Sequence, residues 1–398
     1  MTAPTLDPAT PSATTTGTGV RLLGATPDGP VPLLDLAALL AVVEQAGLTG
    51  RGGAGFPTAR KVRAVAAAAG RRRRPVVVGN AMEGEPLSRK DAALLGLAPG
   101  LVLDGLDVVA HALGTRDRLL AVGPEVDDRA VRAAASARSI AVRRLPGGFV
   151  AGQESAVVAA LGGRPGVPRD PAVRVGERGL DGRPTLVLNA ETLAHVALVA
   201  RHGAAAYRAA APQLLTISGT GGAIRHPGVL EVPRGTPLVE VIRRAGGDPT
   251  TCGPVLLGGY HGTWLAPSQL GIPVGDPRTG AGVVHVLDAT TCPVRATADI
   301  ARWLADQSAR QCGPCVNGLP HLAATLGHLA DAHPDPRLEA EVARVAALVD
   351  GRGACAHPDG TVRMVRSAWS AFGDHVRAHL AGHCPTPTST PHPSGATR

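Results

Sequence analysis

Between residues 75 and 196 short apolar runs alternate with helical patterns, and that alternation constrains the fold more than any other feature. "PVVVGN" (75–80), "RLLAVG" (118–123), "IAVRRLP" (140–146) and "PTLVLN" (184–189) have strand length and strand composition. The segments between them, "KDAALLGLAPGLVLDGLDVVAHALG", "EVDDRAVRAAASAR" and "GQESAVVAALGG", carry helical spacing. Parallel neighbours need a crossover long enough to hold a helix, so the repetition predicts an α/β layer structure with a largely parallel sheet. Two helices are expected upstream: "LLDLAALLAVVEQAG", closed by Gly47, and "TARKVRAVAAAAG", capped by Thr58 and stopped by Gly70.

The texture changes after residue 213. "LLTISGTGGAIRHPGVLEVPRGTPLVEVIRRAGG" offers short β-rich runs, a Pro-Gly turn at 227 and 228 and one helix, which suits a small β-rich module. From Thr297 the chain reads as helical, with "QCGPCVNG" at a helix-loop junction and "RLEAEVARVAALVDGRG" as an amphipathic helix. Residues 1–18 and 384–398 are rich in Thr, Pro and Ser and are expected to be disordered tails.

Composition excludes several classes. Six cysteines in 398 residues are too few for a disulfide scaffold, and in a reducing compartment a close pair suggests metal or redox chemistry; a cytoplasmic setting is expected from the lack of a membrane-span or signal-peptide pattern. A formal charge of +8 could suggest nucleic acid, but the arginines are scattered and aromatics make up only 2% of the chain, so no nucleic-acid partner is expected. The run Arg71–Arg74 reads first as the solvated start of a strand, with a phosphate or an acidic electron-transfer partner as the alternative contact. "PLLDLAALLAVV" (32–43) is too short to span a bilayer and carries Asp35, and the N-terminus lacks a signal-peptide pattern, so no direct membrane insertion is expected. The drift toward arginine leaves only two lysines, Lys61 and Lys90, and three asparagines, Asn80, Asn189 and Asn317, and nearly all of them fall inside the motifs that follow.

Four turns carry the candidate chemistry. "GLTGRGGAGFPTARK" (47–61) places glycine amides and Lys61 at the start of a helix, a site for a phosphate or other anion, or else a plain glycine-rich connection. Its spacing is neither the Rossmann pattern nor a P-loop. "NAMEGEPLSRKD" (80–91) follows a strand, where open α/β sheets place ligands, and offers Asn80, Glu83 and Glu85 as hydrogen-bonding groups. "GGFVAGQESAVVAALGGRPGVPR" (147–169) carries Glu154, and "PTLVLNAETLAHV" (184–196) runs into Asn189, Glu191 and Thr192.

These four stretches, in this order, resemble the flavin- and NADH-binding subunit of respiratory complex I, the 51 kDa or F subunit, and its relatives in soluble hydrogenases and formate dehydrogenases. "GRGGAGFPT" is similar to that family's signature, "GTGGAIRHPGVLEVPRGTPLVEVI" to its SLBB β-grasp module, and "CGPCVNG" to its iron–sulfur motif. The resemblance implies an FMN-binding α/β domain (19–212), an SLBB β-grasp domain (213–296) and a helical iron–sulfur domain (297–383). It implies FMN, NADH and a [4Fe-4S] cluster, with electrons passing to a ferredoxin-like, quinone-linked or other redox subunit. By the same resemblance Gly50, Gly52, Gly53, Gly55 and Lys61 cradle the flavin and its phosphate, and Asn80, Gly152, Asn189 and Thr192 hold the ribityl chain and ring. Glu83 and Glu154 line the nicotinamide side, Phe56 packs near the dinucleotide, and Cys312, Cys315 and Cys355 hold the cluster.

The chain departs from the family at defined positions. The family has an aspartate where this chain has Met82 and an asparagine where it has Leu188; Phe149 stands for a tyrosine and Gln153 for a glutamate. The aromatics that frame the adenine are Ala64 and Arg174 here, which leaves NADPH, or no dinucleotide at all, open beside NADH. Ala309 replaces the first cluster cysteine, so a fourth ligand is to be sought in Cys384, His357, solvent or a partner, and Cys312, Cys315, Cys355 and His357 together would also suit zinc. Cys252 and Cys292 read as small packing residues. The reading of a different class is a non-catalytic paralogue that serves as a binding or scaffold subunit.

Overall fold

The alternating runs fold as one parallel sheet. In the computed structural model, which describes residues 14–15, 20–24, 29–70, 73–170 and 172–386, the stretches expected to be terminal tails lie largely outside the described residues. A two-residue strand β1 (Thr14–Thr15) precedes the first helices, α1 (Leu36–Gln45) and α2 (Thr58–Ala68). Asp35 caps α1 by accepting from Ala38 N at 2.8 Å. The cap expected at Thr58 falls instead on Pro57, which has no side-chain acceptor; Thr58 is the first helical residue, and its amide donates to Leu48 O at 3.0 Å.

Strand β2 (Val76–Ala81) leads through α3 (Lys90–Leu97) and α4 (Pro99–Ala112) to β3 (Arg118–Val122). Then follow α5 (Arg129–Ser136), β4 (Ala141–Arg144), α6 (Glu154–Leu161), β5 (Thr185–Asn189) and α7 (Ala190–Ala210). The four strands run parallel in the order β4-β3-β2-β5. Val77, Val78, Leu120 and Leu186 are fully buried, which fits a sheet covered on both faces.

The second sheet contains β6 (Pro212–Gly219), β7 (Gly228–Pro233), β8 (Val255–Leu257), β9 (Thr263–Leu265) and β10 (Val283–Val286), with α8 (Leu238–Arg244) packed on it through Leu238, Val241 and Ile242. Its order is β1-β7-β6-β10-β8-β9, and β6 and β10 lie parallel at the centre between antiparallel neighbours. That is a β-grasp topology. The helical C-terminal region consists of α9 (Pro293–Asp306), α10 (Leu319–Ala330), α11 (Arg337–Val349) and α12 (His357–Leu380) around Leu304, Leu322, Leu326 and Val365. Among the described residues no single helix is long and apolar enough to cross a membrane.

Candidate functional site

The sheet reverses its winding at β2: β3 and β4 extend to one side, and β5 lies on the other. Loops leaving the C-terminal ends of such a pair diverge and open the crevice in which α/β sheets bind ligands. Asn80 and Asn189 are register partners at that point. Asn80 Nδ2 donates to Gly152 O (2.9 Å), and its Oδ1 accepts from Met82 N (3.0 Å). Asn189 Oδ1 caps α7 by accepting from Glu191 N (3.0 Å), while its Nδ2 donates to Asp91 Oδ2 (2.5 Å). Both amides therefore hold the turns around the crevice in shape. Gly152 is required by closeness, since a Cβ there would lie 2.6 Å from Met82 O.

The glycine-rich turn reaches the same crevice, where a Cβ on Gly52 would meet Asn189 Cβ at 3.7 Å. Gly50 N donates to Phe56 O (2.8 Å), and Arg51 N donates to Thr192 Oγ1 (2.9 Å), so Thr192 ties the turn to α7. Gly53 and Gly55 adopt φ of +96° and +61°, conformations that glycine takes without steric cost. Among the described residues the amides of Gly52, Gly53, Ala54 and Gly55 donate to no other group of the chain, and these residues lie exposed just before α2. Unpaired N–H groups at the positive end of a helix make an anion site. Beside them two buried polar atoms, Arg51 Nε and Thr58 Oγ1, also lack a partner. A phosphate would satisfy the exposed amides, so the turn fits the phosphate end of FMN. The ring end is less polar than the family's pattern, because Met82 and Leu188 are buried and pack into apolar cores.

Lys61, in the first turn of α2, donates to Val187 O (2.7 Å) and pairs with Glu154 Oε2 (2.8 Å); the two side chains are 27% and 34% exposed, so solvent and ligand can reach both. Phe56 is exposed, with the Arg60 guanidinium 5.5 Å from its ring centre. Ala64 and Arg174 are exposed. Glu83 faces inward: its carboxylate accepts from Ser88 Oγ and from the amides of Asp91 (3.1 Å) and Ala92 (3.3 Å) at the start of α3. Burial and the neighbouring Asp91 raise its pKa, against Lys90 and its hydrogen-bond donors.

At two features of this site the sequence names residues but not their partners. Glu85 reaches the second sheet, accepting from Tyr260 N (2.8 Å) and Leu87 N (3.3 Å), and burial lifts its carboxyl to about 7. An acid with a raised folded pKa contributes full stability below its unfolded value of 4.5 and loses it as pH rises toward 7. Solvent reaches one edge of Glu85, so Glu85→Gln should stabilise the chain above pH 7 by about 1–2 kcal/mol, less than the full shift allows. Urea midpoints across pH 5 to 8 should then be flatter in the variant; parallel curves would refute the assignment. The second feature is a buried network of Lys90, Asp91, Asn189 and Glu191, signalled in the sequence only by the rarity of lysine.

In the helical region Cys312 precedes, and Cys315 lies within, the short helical turn Pro314–Gly318 that leads into α10. The Cys315 thiol neighbours those of Cys312 and Cys355; burial, then these two neighbours, push it up to about 12 despite an amide from Arg310. At Cys312 burial is outweighed by amides of Ala354 and Cys315, and the thiol shifts down. Amide donors aimed at converging sulfurs fit a cluster at three of its four irons. The single-ion alternative fails. Among the described residues Cys312, Cys315 and Cys355 do not bring three donor atoms within 4.8 Å of one another. His357 is committed elsewhere, its Nδ1 to His261 Nε2 (3.1 Å) and its Nε2 to Leu304 O (2.9 Å).

Comparison with known proteins agrees with this geometry. Residues 43–198 match the Nuo51 FMN-binding domain, and residues 295–379 match the NADH-ubiquinone oxidoreductase-F iron-sulfur binding region. The second NADH-quinone oxidoreductase F subunit of Rhizobium meliloti is 28% identical over 377 residues, covering 86% of this chain and 88% of the relative. The corresponding F subunit of Streptomyces coelicolor is 27% identical over 381 residues, covering 87% and 84%. A chain of the NAD+-reducing [NiFe]-hydrogenase, in its H2-reduced crystal structure, superimposes with a TM-score of 0.80 at 32% identity. That match covers 88% of this chain but only 64% of the hydrogenase chain. The chain belongs, as a diverged member, to the family of the FMN- and NADH-binding 51 kDa subunit of complex I, the F subunit of the NADH-quinone oxidoreductases.

Proposed function

We propose that this chain is the flavoprotein subunit of a multi-subunit oxidoreductase, accepting electrons from NADH and delivering them through a [4Fe-4S] cluster to a ferredoxin-like, quinone-linked or other redox subunit. The observation that carries this reading is the row of unpartnered amides from Gly52 to Gly55, beside the orphaned Arg51 Nε and Thr58 Oγ1 at the switch point of the sheet. The chemistry FMN supplies when bound is the acceptance of two electrons as a hydride and their release one at a time.

The chain's own residues position that chemistry. Gly50 closes the turn by donating to Phe56 O, and Gly52, Gly53 and Gly55 keep the backbone low and its N–H groups free for phosphate, with the Lys61 ammonium beside them. Asn80, Gly152, Asn189 and Thr192 fix the walls of the crevice through the bonds described above. Glu154 is the more accessible of the two acids proposed for the nicotinamide side, since both oxygens of Glu83 are already engaged. Phe56 presents an exposed ring for the dinucleotide. Cys312, Cys315 and Cys355 would supply three thiolates for the cluster, and with Ala309 in place of a cysteine the fourth ligand would come from solvent or a partner. The domain division is proposed as 19–212 for flavin and dinucleotide, 213–296 for an SLBB module and 297–383 for the cluster. Six unpaired cysteines suit a reducing cytoplasm.

The test is the absorption spectrum of protein purified without oxygen, before and after NADH or NADPH. A flavin spectrum that bleaches, with a broad sulfur-to-iron band, is expected. A colourless protein after reconstitution with FMN and iron would replace this reading with the scaffold one.

A further inference from the structure

Three donor atoms from separate parts of the chain meet outside the site described above. Cys292 is the N-cap residue of α9, His379 lies in the last turn of α12, and Cys384 follows that helix. Cys292 Sγ, one ring nitrogen of His379 and Cys384 Sγ all lie within 4.8 Å of one another. Cys292 Sγ is 3.3 Å from His379 Nε2.

The surroundings prepare these atoms as ligands. His379 is 1% exposed, and its Nδ1 lies 3.0 Å from Leu329 O, which can only accept. The Nδ1 proton is thereby fixed, and the Nε2 lone pair is left free beside Cys292 Sγ. Giving the second ring N–H to a backbone carbonyl is the usual support of a metal-ligating histidine. Cys292 Sγ accepts from Arg295 N (3.4 Å) at the start of α9, which holds the sulfur in place beside the imidazole. Cys384 is exposed, so ions can enter from solvent. Two sulfurs and one imidazole with no carboxylate select a thiophilic, tetrahedral cation over calcium or magnesium.

We propose that Cys292, His379 and Cys384 bind a zinc ion, with water in the fourth position, and that this ion clasps the end of α12 and the segment after it to the start of α9. The two thiol protons leave to solvent on binding, so two thiolates and one Zn2+ carry no net charge. The site is separate from Cys312, Cys315 and Cys355, and Cys292 is a ligand here where its sequence setting suggested only packing.

The test uses the full chain, dialysed against zinc and then against metal-free buffer, with zinc counted per chain by plasma mass spectrometry. A single retained zinc is expected in the parent and in Cys312→Ser. Cys384→Ser, at an exposed position that cannot unfold the core, should weaken zinc binding by about tenfold or more. Cobalt should give a thiolate-to-metal absorption band in the parent that Cys384→Ser loses. Three results would overturn the proposal: no retained zinc with both thiols free, zinc that follows the Cys312 variant instead, or a disulfide joining Cys292 to Cys384 in peptide maps of the isolated protein.

Discussion

Replacing Lys90 by methionine is expected to cost the chain about 3–5 kcal/mol of folding stability, because it leaves buried carboxylates without their counter-ion. Lys90 is 4% exposed, and its ammonium lies 2.7 Å from Asp91 Oδ1 and 3.1 Å from Glu191 Oε2, each on a residue 2% exposed. Burial alone would push the Lys90 pKa down, but Asp91, Glu191 and Glu83 outweigh it and hold the ammonium charged. Burial likewise works against an ionised Glu191, yet Lys90 above all, then His195 and Arg51, bring its carboxyl down to about 2. His195 cannot replace the lysine: burial keeps it neutral, with a pKa of about 4. A depressed carboxyl contributes its stability above the unfolded value of 4.5 and loses it as pH falls from there toward 2. In Lys90→Met that contribution is gone, so its deficit in urea unfolding should be largest near neutrality and shrink as pH drops below 4.5. The triple variant Lys90→Met, Asp91→Asn, Glu191→Gln should recover most of the loss, since it removes the charges together. Equal stability of Lys90→Met and the parent at pH 7 would show that the network is not the buried ion cluster described here.

What the sequence revealed and what it hid divide by range. The parallel sheet was legible because each strand and its following helix are written locally, in the change from apolar runs to helical spacing. The glycine turn was legible for the same reason. The rarity of lysine drew attention to Lys90, but its function depends on Glu191, which reaches it only when β2 and β5 pair. The parallel pairing of β6 with β10 joins segments separated by a helix and three other strands, and nothing local announces it. The cap at Thr58 was misplaced because a sequence pattern counts residue types, whereas the helix begins where Pro57 fixes the backbone. Cys292 read as apolar filler from its neighbours in sequence; its neighbours in space are His379 and Cys384.

Glycines inside helices show the same limit in a form that one pair of substitutions can test. Gly96 in α3 and Gly105 in α4 look alike in sequence, each a helix-weakening residue that alanine ought to improve. In the structure a Cβ on Gly96 meets nothing within 4 Å, and the residue is exposed. A Cβ on Gly105 would lie 1.9 Å from Leu193 O and 2.5 Å from its carbonyl carbon, because α4 and α7 touch there backbone to backbone. Backbone cannot rotate aside as a side chain can, so one helix must shift. Gly96→Ala should therefore stabilise the chain by up to about 1 kcal/mol, whereas Gly105→Ala should destabilise it by about 3 kcal/mol or more. The consequence extends to the site, since α7 starts at Ala190, directly after Asn189, and carries Thr192, whose hydroxyl anchors the glycine turn through Arg51 N. A helix pushed outward at Leu193 moves that anchor, so Gly105→Ala should also bind FMN more weakly in a fluorescence titration, while Gly96→Ala leaves affinity unchanged. If both variants shift stability in the same direction, the close approach of α4 and α7 is wrong; if Gly105→Ala loses stability but keeps full flavin affinity, the coupling from that contact through Thr192 to the turn is wrong.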